Sequence, residues 1–169
     1  MTTPPFRIGA PSEAQHDVMR RLWLMFQHDM SSFTGGLPDA EGRYRSERLE
    51  NALAGRPGWQ SYLMTSGPHP IGFAVLRSLD EPIHVLSSFF VVAAARRDGV
   101  GSRLATEVMA AHPGRWQLAY QDANGGASRF WPSVAASLDP EWTLERRAVP
   151  GRPELPPDVW IDLMVAGSR

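Results

Sequence analysis

The alternation of apolar and polar positions divides the chain into eleven predicted elements. Alternating or continuous short apolar runs indicate strands, whereas apolar spacings of three and four indicate helices. Strands are predicted at 6–8, 59–65, 71–76, 83–92, 116–120, 142–149 and 159–165. Helices are predicted from a capping box of Ser12 and Gln15 to about 33, over 44–54, over about 102–111, and from an Asn124 cap to about 139.

The connections between these elements predict the topology. Short turns at 66–70 and 80–82 join three successive strands, which implies an antiparallel meander. The element order is β, α, α, β, β, β, α, β, α, β, β. No linker, internal repeat or low-complexity segment interrupts it, so we expect a single domain over residues 1–169 with mixed α/β structure.

The most informative stretch is residues 88–105, where a strand changes into a helix. An apolar, aromatic and β-branched run ends at Gly99 and Gly101, and the pattern then becomes helical. The first turn of a helix has free N–H groups and the positive end of the macrodipole, and glycine lets the backbone approach a bulky anion. Arg96, Arg97 and Arg103 add positive charge, so the stretch predicts a phosphate site.

Other glycine motifs and a plain solvated loop are the alternatives to this interpretation. A Walker A loop requires a lysine, and all 17 basic residues of this chain are arginine. A dinucleotide fingerprint requires a third glycine, where Leu104 stands. The flanking elements favour a phosphate site over a plain loop.

Composition restricts the function further. The chain has 169 residues, 43% hydrophobic content, no cysteine and a formal net charge of −1. These values exclude disulfides and a cysteine nucleophile, and they give no reason to expect nucleic acid as a partner. No apolar stretch approaches the length of a membrane span, and residues 1–5 do not resemble a signal peptide, so we expect a cytoplasmic protein. His16, His69 and His112 lack ligand spacing, and no metal site is expected.

Two motifs resemble those of a known family. Arg96-x-x-Gly99-x-Gly101 after a strand resembles the signature of the GNAT superfamily of acyl-CoA-dependent N-acetyltransferases, and Asn124-x-x-Ala127-x-x-Phe130-Trp131 resembles its later helix. The similarity is greatest to a bacterial branch with a Phe-Phe-Val strand. It implies a GNAT-like, mostly antiparallel sheet of about seven strands, flanked by four helices and splayed between strands 4 and 5.

The resemblance also implies a co-substrate, acetyl-CoA or another acyl-CoA. In the family the glycine loop holds the pyrophosphate, the fourth strand pairs with the pantetheine arm, and the later helix borders the thiol. Carried over, this gives a binding set of Phe90, Val91, Val92, Arg96, Arg97, Asp98, Gly99, Val100, Gly101, Ser102, Arg103, Asn124, Ala127 and Trp131.

The catalytic groups depart from the family pattern. Trp131 stands where many relatives have an acidic tyrosine, and Ser88 stands where close relatives often have a glutamate. His84 lies four residues before Ser88, on the same face of a regular strand, and its pKa would suit proton removal through water. The alternative is a surface histidine at a strand start.

The resemblance also implies that the acceptor site borders the loop after the first helix. His28 and Asp29 at the end of that helix, and Tyr120 with Asp122 at the end of the fifth strand, are candidates for binding or proton relay; capping and packing are their alternative roles. The aromatic residues Trp23, Phe26 and Trp131 fit either an apolar acceptor pocket or the core, and their helical spacing favours the core.

Two functions follow from these predictions. The first is transfer of an acetyl or other small acyl group from coenzyme A to an amine of a small molecule or peptide, by a monomer or homodimer. The second is a coenzyme A-binding or acyl-binding module whose catalysis is lost or altered, for example in specialised metabolism or resistance. Ser88 and Trp131 motivate the second, because neither supplies the usual acid or base.

Overall fold

The computed structural model describes residues 5–167 and contains one seven-stranded sheet with four α-helices. The strands are β1 (Phe6–Gly9), β2 (Gln60–Ser66), β3 (His69–Arg77), β4 (Ile83–Val91), β5 (Gly114–Gln121), β6 (Thr143–Arg147) and β7 (Asp158–Val165). The helices are α1 (His16–Thr34), α2 (Glu47–Leu53), α3 (Val100–Ala110) and α4 (Gly125–Leu138). The prediction about a signal peptide concerns residues 1–5, of which 1–4 lie outside the described residues.

The sheet order is β1-β2-β3-β4-β5-β7-β6, and every neighbouring pair is antiparallel except β4 with β5, which are parallel. This confirms the predicted meander and the mixed, mostly antiparallel fold class. Within the described part of the chain, no helix is both long and apolar enough to cross a membrane.

Two apolar clusters hold the helices on opposite faces of the sheet. On one face, α1 and α2 pack through Met19, Leu22, Trp23 and Leu49 against Phe73, Val75 and Phe90. On the other, α3 and α4 pack through Leu104, Val108, Trp131 and Val134 against Leu76, Leu86, Trp116, Leu118 and Ile161. Burial of these side chains is the main force that fixes the helices to the sheet. We call these the α1/α2 face and the α3/α4 face.

The parallel pair β4 and β5 separates part of the way along its length. The strands are paired only from Ile83 opposite Arg115 to Leu86 opposite Leu118. Beyond this point β4 continues to Val91 and β5 to Gln121, and the two strands no longer pair with each other. The backbone groups that would complete the ladder therefore face a gap, which confirms the predicted splay.

A β-bulge in β4 lies at the start of this gap. Val75 pairs with Ser88 and Leu76 pairs with Leu86, so Ser87 is an extra residue. An extra residue reverses the alternation of side chains along a strand. The prediction that His84 and Ser88 share a face is therefore wrong, because Ser88 is opposite Val75 on the α1/α2 face and His84 contacts Trp116 on the other face.

Several element ends differ from the prediction. The capping box is confirmed, since the Ser12 backbone N–H donates to Gln15 Oε1 at 3.0 Å, but the next three residues first form a 3₁₀ turn. α2 begins at Glu47 rather than 44, after the non-helical Ser46. α3 begins at Val100, two residues before the predicted start, because Gly99 supplies the left-handed residue at its N-cap.

Tyr62 on β2 and His112, just after the end of α3, form a half-buried polar contact. The Tyr62 hydroxyl lies 2.8 Å from Nε2 of His112, whose backbone carbonyl accepts from the Trp116 indole at 2.9 Å. Burial, and to a lesser extent the nearby His84, lowers the pKa of His112 below its usual range. The folded protein thus disfavours the charged imidazole more than the unfolded chain does.

This contact predicts a loss of stability in acid. Because the pKa of His112 is lower in the folded state, the unfolded chain binds the proton first. The stability should therefore fall as the pH decreases through about 6.5 and below. His112→Gln should flatten this part of the profile, whereas Tyr62→Phe, which keeps the imidazole, should retain it. Urea unfolding between pH 7.5 and 5 checks this, and equal slopes in wild type and His112→Gln would contradict it.

Candidate functional site

A cleft of about 1080 Å³ occupies the gap between β4 and β5. Its walls are the C-terminal part of α1, residues 85–91 of β4, the loop before α3, the end of β5 and the first half of α4. The cleft follows directly from the splay, because the unpaired edges of the two strands form its floor. A second, smaller cleft of about 220 Å³ lies beside Arg115 and Asp162, away from this gap.

One end of the cleft is closed by the N-terminus of α3. Gly99 has φ of +72° and is the N-cap, and no side chain caps the helix. The first backbone hydrogen bond of the helix is donated by the Arg103 N–H to the Gly99 carbonyl at 3.0 Å. The N–H groups of Val100, Gly101 and Ser102 therefore have no partner in the helix and fit an anion such as a phosphate.

Gly101 also lies in close contact with α4. A Cβ built on Gly101 would lie 3.2 Å from Cε2 and 3.3 Å from Cζ of Phe130 on α4. The glycine therefore allows α3 and α4 to approach each other, as well as leaving the helix N-terminus open. Arg97, just before this turn, has φ of +100°, which is unusual for a residue other than glycine.

The side chain of Arg96 is occupied by protein groups. Its Nε donates to the Val91 carbonyl at 2.8 Å, and its Nη2 forms an ion pair with Asp29 at the end of α1. Its guanidinium also lies 5.7 Å from the centroid of the Phe90 ring. Arg96 thus connects α1, β4 and the glycine loop, and it does not point freely toward the phosphate site as the sequence suggested.

The predicted coenzyme A-binding residues divide into two groups. Those that line the cleft are Phe90, Val91, Arg96, Arg97, Gly99, Gly101, Ser102, Asn124, Ala127 and Trp131. Those outside its lining are Val92, Asp98, Val100 and Arg103. Val100 is 4% exposed and directs its side chain into the core, and Arg103 instead pairs with Glu107 and stacks on Phe6.

The wall on the α3/α4 face is aromatic. Trp131 lies with its ring centroid 4.9 Å from Phe89 and 4.6 Å from Phe130, and it is 7% exposed. Asn124 has the predicted capping role, since its Oδ1 accepts from the Ala127 N–H at 3.1 Å. Trp131 is therefore part of both the core and the cleft. Of the other two aromatics, Phe26 lines the cleft and Trp23 is core.

The same wall contains Tyr120, near the end of β5. Tyr120 continues the alternation of Trp116 and Leu118 and so belongs to the α3/α4 face. Burial, and secondarily the Asp122 carboxylate, raise the pKa of Tyr120, which keeps its hydroxyl protonated at neutral pH. Asp122 itself is paired with Arg146 at 2.9 Å, outside the cleft lining.

The α1/α2 face of the cleft carries a carboxylate that the sequence analysis missed. Asp158 opens β7 opposite Gln121 and lines the cleft, and burial raises its pKa. Residues 159, 161 and 163 of β7 are buried, and 161 and 163 belong to the cluster on the α3/α4 face, so Asp158 lies on the opposite face. The proline-rich segment before β7 gave no sign that this strand end would line the cleft.

The remaining candidates lie in different places. Ser88, 5% exposed, and His28 line the cleft on the α1/α2 side. His84 does not line it, because the bulge turns its ring toward Trp116 and its Nδ1 lies 3.3 Å from the His112 carbonyl. In the described part of the chain, no three carboxylate, histidine or cysteine side chains are grouped as a possible metal site.

Comparison with known proteins gives the family and the fold. A sequence model described as "Acetyltransferase (GNAT) family" matches residues 22–133. An acetyltransferase from Thermus thermophilus superposes with a TM-score of 0.66 at 16% identity, covering 98% of this chain and 100% of its own. Arabidopsis thaliana Naa50, bound to the bisubstrate analogue CoA-Ac-MVNAL, gives 0.60 at 14% identity, with coverage of 93% and 97%.

A third similar structure contains coenzyme A. The PaiA N-acetyltransferase of Thermoplasma acidophilum, in complex with coenzyme A, gives a TM-score of 0.63 at 10% identity, with coverage of 95% and 99%. No curated protein matches the sequence. At these identities the structural likeness shows the shared fold, and the family follows from the sequence model.

The contact between Gly101 and Phe130 can be tested by a mutant cycle. Gly101→Ala places a Cβ against the Phe130 ring, and this crowding opposes the gain of about 1 kcal/mol from replacing a helical glycine, so the free energy of unfolding should fall by up to about 2 kcal/mol. Phe130→Leu removes the contacted ring atoms, so the double variant should lose less than the sum of the two single variants. Ser102→Ala, one residue further along the helix, is the control. Additive losses in urea unfolding would contradict the contact.

Proposed function

Because the chain belongs to the GNAT acetyltransferase family, we propose that it transfers an acetyl or other small acyl group from coenzyme A to an amine. The observation that carries this proposal is the cleft between β4 and β5, which ends at the uncapped N-terminus of α3. This combination provides an anion site beside two unpaired strand edges, which suits a ligand with a diphosphate and an extended amide-containing arm.

The donor would lie along β4 from its C-terminal end. The pyrophosphate would accept hydrogen bonds from the N–H groups of Val100, Gly101 and Ser102. The pantetheine amides would pair with the free backbone of residues 88–91, in place of a neighbouring strand. The acyl end would then reach the start of the gap near Ser88, between the two faces of the sheet.

The reaction is an aminolysis of the thioester. The neutral amine nitrogen attacks the carbonyl carbon, a C–N bond forms, and the C–S bond breaks to release the thiol. A free N–H of β4 can stabilise the oxyanion that develops on the carbonyl oxygen. One proton must leave the nitrogen and one must reach the sulfur, so the overall products are an amide and free coenzyme A.

The two faces of the cleft offer groups for these two proton transfers. We assign the base to Asp158 on the α1/α2 face, because its carboxylate lines the cleft and its raised pKa makes it a better proton acceptor than an exposed aspartate. We assign the donor to Tyr120 on the opposite face, whose hydroxyl stays protonated. His84 has no part in this scheme.

The first experiment is a calorimetric titration with acetyl-CoA. Ser102→Glu places a negative charge in the first turn of α3, which favours the helix but repels the phosphates. Acetyl-CoA affinity should therefore drop at least ten-fold, about 1.4 kcal/mol, without loss of stability. Ser102→Gln, similar in size but neutral, is the matched control and should bind within a few-fold of wild type.

The outcomes separate the two functions kept open by the sequence. No binding of acetyl-CoA, coenzyme A or a longer acyl-CoA to the wild type would contradict the proposed function. Binding with equal affinity in Ser102→Glu would contradict the assignment of the phosphate site. Binding without thiol release over a broad amine screen would favour a coenzyme A-binding module.

A second prediction concerns Asp158. If it removes the amine proton, Asp158→Asn should lower kcat by about 100-fold while leaving acetyl-CoA affinity unchanged. Asp162→Asn is the matched control, since Asp162 lies on the same face of β7 but outside the cleft, bound to Arg115 at 2.7 Å. Steady-state thiol release checks both variants, and an unchanged kcat in Asp158→Asn would refute its role as the base.

A further inference from the structure

The α1/α2 side of the cleft contains two arginines that the proposed reaction does not use. Arg48 from α2 and Arg77 from the end of β3 both line the cleft, beside residues 85–88 of β4. Among residues 5–167, no carboxylate lies within ion-pair distance of either guanidinium. Two cationic groups therefore meet at one wall of the cleft without a negative partner from the protein.

Arg77 is held in this position by the sheet. It pairs with Val85 across β3 and β4, and it follows Phe73 and Val75 on the α1/α2 face. Its side chain is half-buried, and desolvation together with the charge of Arg48 lowers its pKa. A guanidinium in such a place is destabilised by burial and by a like charge, and a bound anion would relieve both effects.

We call Arg48, Arg77 and the bulge residue Ser87, which all line this side of the cleft, the corner. Arg48 Nη1 lies 3.5 Å from the Ser87 carbonyl oxygen, a long contact that leaves most of its donors available. Ser87 lines the same cleft. Its hydroxyl oxygen is buried and has no hydrogen-bond partner among the described residues. A buried hydroxyl without a partner is unfavourable, and an oxyanion in the corner could accept from it.

We propose that the corner formed by Arg48, Arg77 and Ser87 binds an oxyanion, a carboxylate or phosphate, carried by the acceptor amine. This inference rests on the proposed function. Arginine forms paired hydrogen bonds with planar oxyanions, and two arginines with a hydroxyl give a strong, oriented site. Asp158, on the same face, would then meet the amino end, so the acceptor is an amine that also carries an anionic group.

The position of the corner assigns it to the acceptor rather than to the donor's phosphates. The phosphate site lies at the C-terminal end of β4, whereas the corner lies beside residues 85–88, at the opposite end of the gap. Arg77 also projects from the face opposite to Phe89 and Trp131, which border the thiol end. The other part of the acyl-CoA that could place an anion in the corner is the acyl chain, when that chain carries its own carboxylate.

The test measures binding of product analogues to the protein saturated with coenzyme A. The probes are three mixtures at equal ionic strength: N-acetyl amino acids, the corresponding N-acetyl amino acid amides, and N-acetyl derivatives of phosphoethanolamine and phosphoserine. An increase in melting temperature reports binding. We expect the carboxylate mixture or the phosphate mixture to stabilise the protein and the neutral amides not to, and the responding mixture identifies the anion.

Arginine variants test whether the stabilisation by anionic analogues depends on the corner. Arg77→Gln should abolish the stabilisation by the anionic mixture, while acetyl-CoA affinity stays within two-fold of wild type. Arg77→Lys, which keeps the charge, should retain part of it. Arg56→Gln is the matched control, because Arg56 is exposed, lies outside the cleft lining and loses the same charge. Equal loss in Arg56→Gln and Arg77→Gln would overturn the assignment, since it would indicate a general charge effect.

The remaining outcomes distinguish failure of this inference from failure of the proposed function on which it rests. Failure of acetyl-CoA to bind would contradict the proposed function itself. If acetyl-CoA binds but no anionic mixture stabilises the protein, or the amides act equally, the inference is wrong and the function stands. If succinyl-CoA binds at least ten-fold more tightly than acetyl-CoA, and Arg77→Gln removes that preference, the corner serves the acyl donor and the inference as stated is overturned.

Discussion

The separation of β4 from β5 is the constraint on which the rest of the structure depends. Two parallel strands that pair over only four positions leave a gap, and the backbone groups along that gap require partners. The bulge at Ser87 lies where pairing with β5 stops, and the glycine loop follows at the end of β4. The cleft results from this one interruption of the ladder, and the open N-terminus of α3 lies at one end of it.

The gap also gives the site two chemically different sides. The α3/α4 side is formed by stacked aromatic rings and a protonated Tyr120, and it ends at the open N-terminus of α3. The α1/α2 side carries Asp158 and the Arg48–Arg77–Ser87 corner. In the proposed reaction the donor lies in the gap with its thiol end against the α3/α4 side, and the acceptor amine approaches the donor's carbonyl from the α1/α2 side. Such an arrangement keeps the phosphates of one away from the charge of the other.

The local parts of this arrangement could be predicted from sequence, and the parts that depend on long-range pairing could not. Gly99 and Gly101 mark the helix start because strand and helix periodicities meet there, and Asn124 is a cap by residue type and spacing. The sequence places His84 on the wrong face because the bulge adds one residue to β4. The extra residue reverses the face on which each earlier side chain of the strand lies, and an apolar run does not indicate a bulge. Asp158, Arg77 and the contact of Asp29 with Arg96 depend on which strands and helices lie side by side.

The missing glutamate and tyrosine of the family pattern are therefore weak evidence against catalysis. A proton acceptor must reach the amine, and a proton donor must reach the sulfur, but neither has to stand at a particular position of β4 or α4. Here the end of β5 and the start of β7, paired through Gln121 and Asp158, bring a tyrosine and a carboxylate to the gap from opposite faces. The positions differ from the family pattern, yet in the proposed reaction the pair supplies one group for each proton.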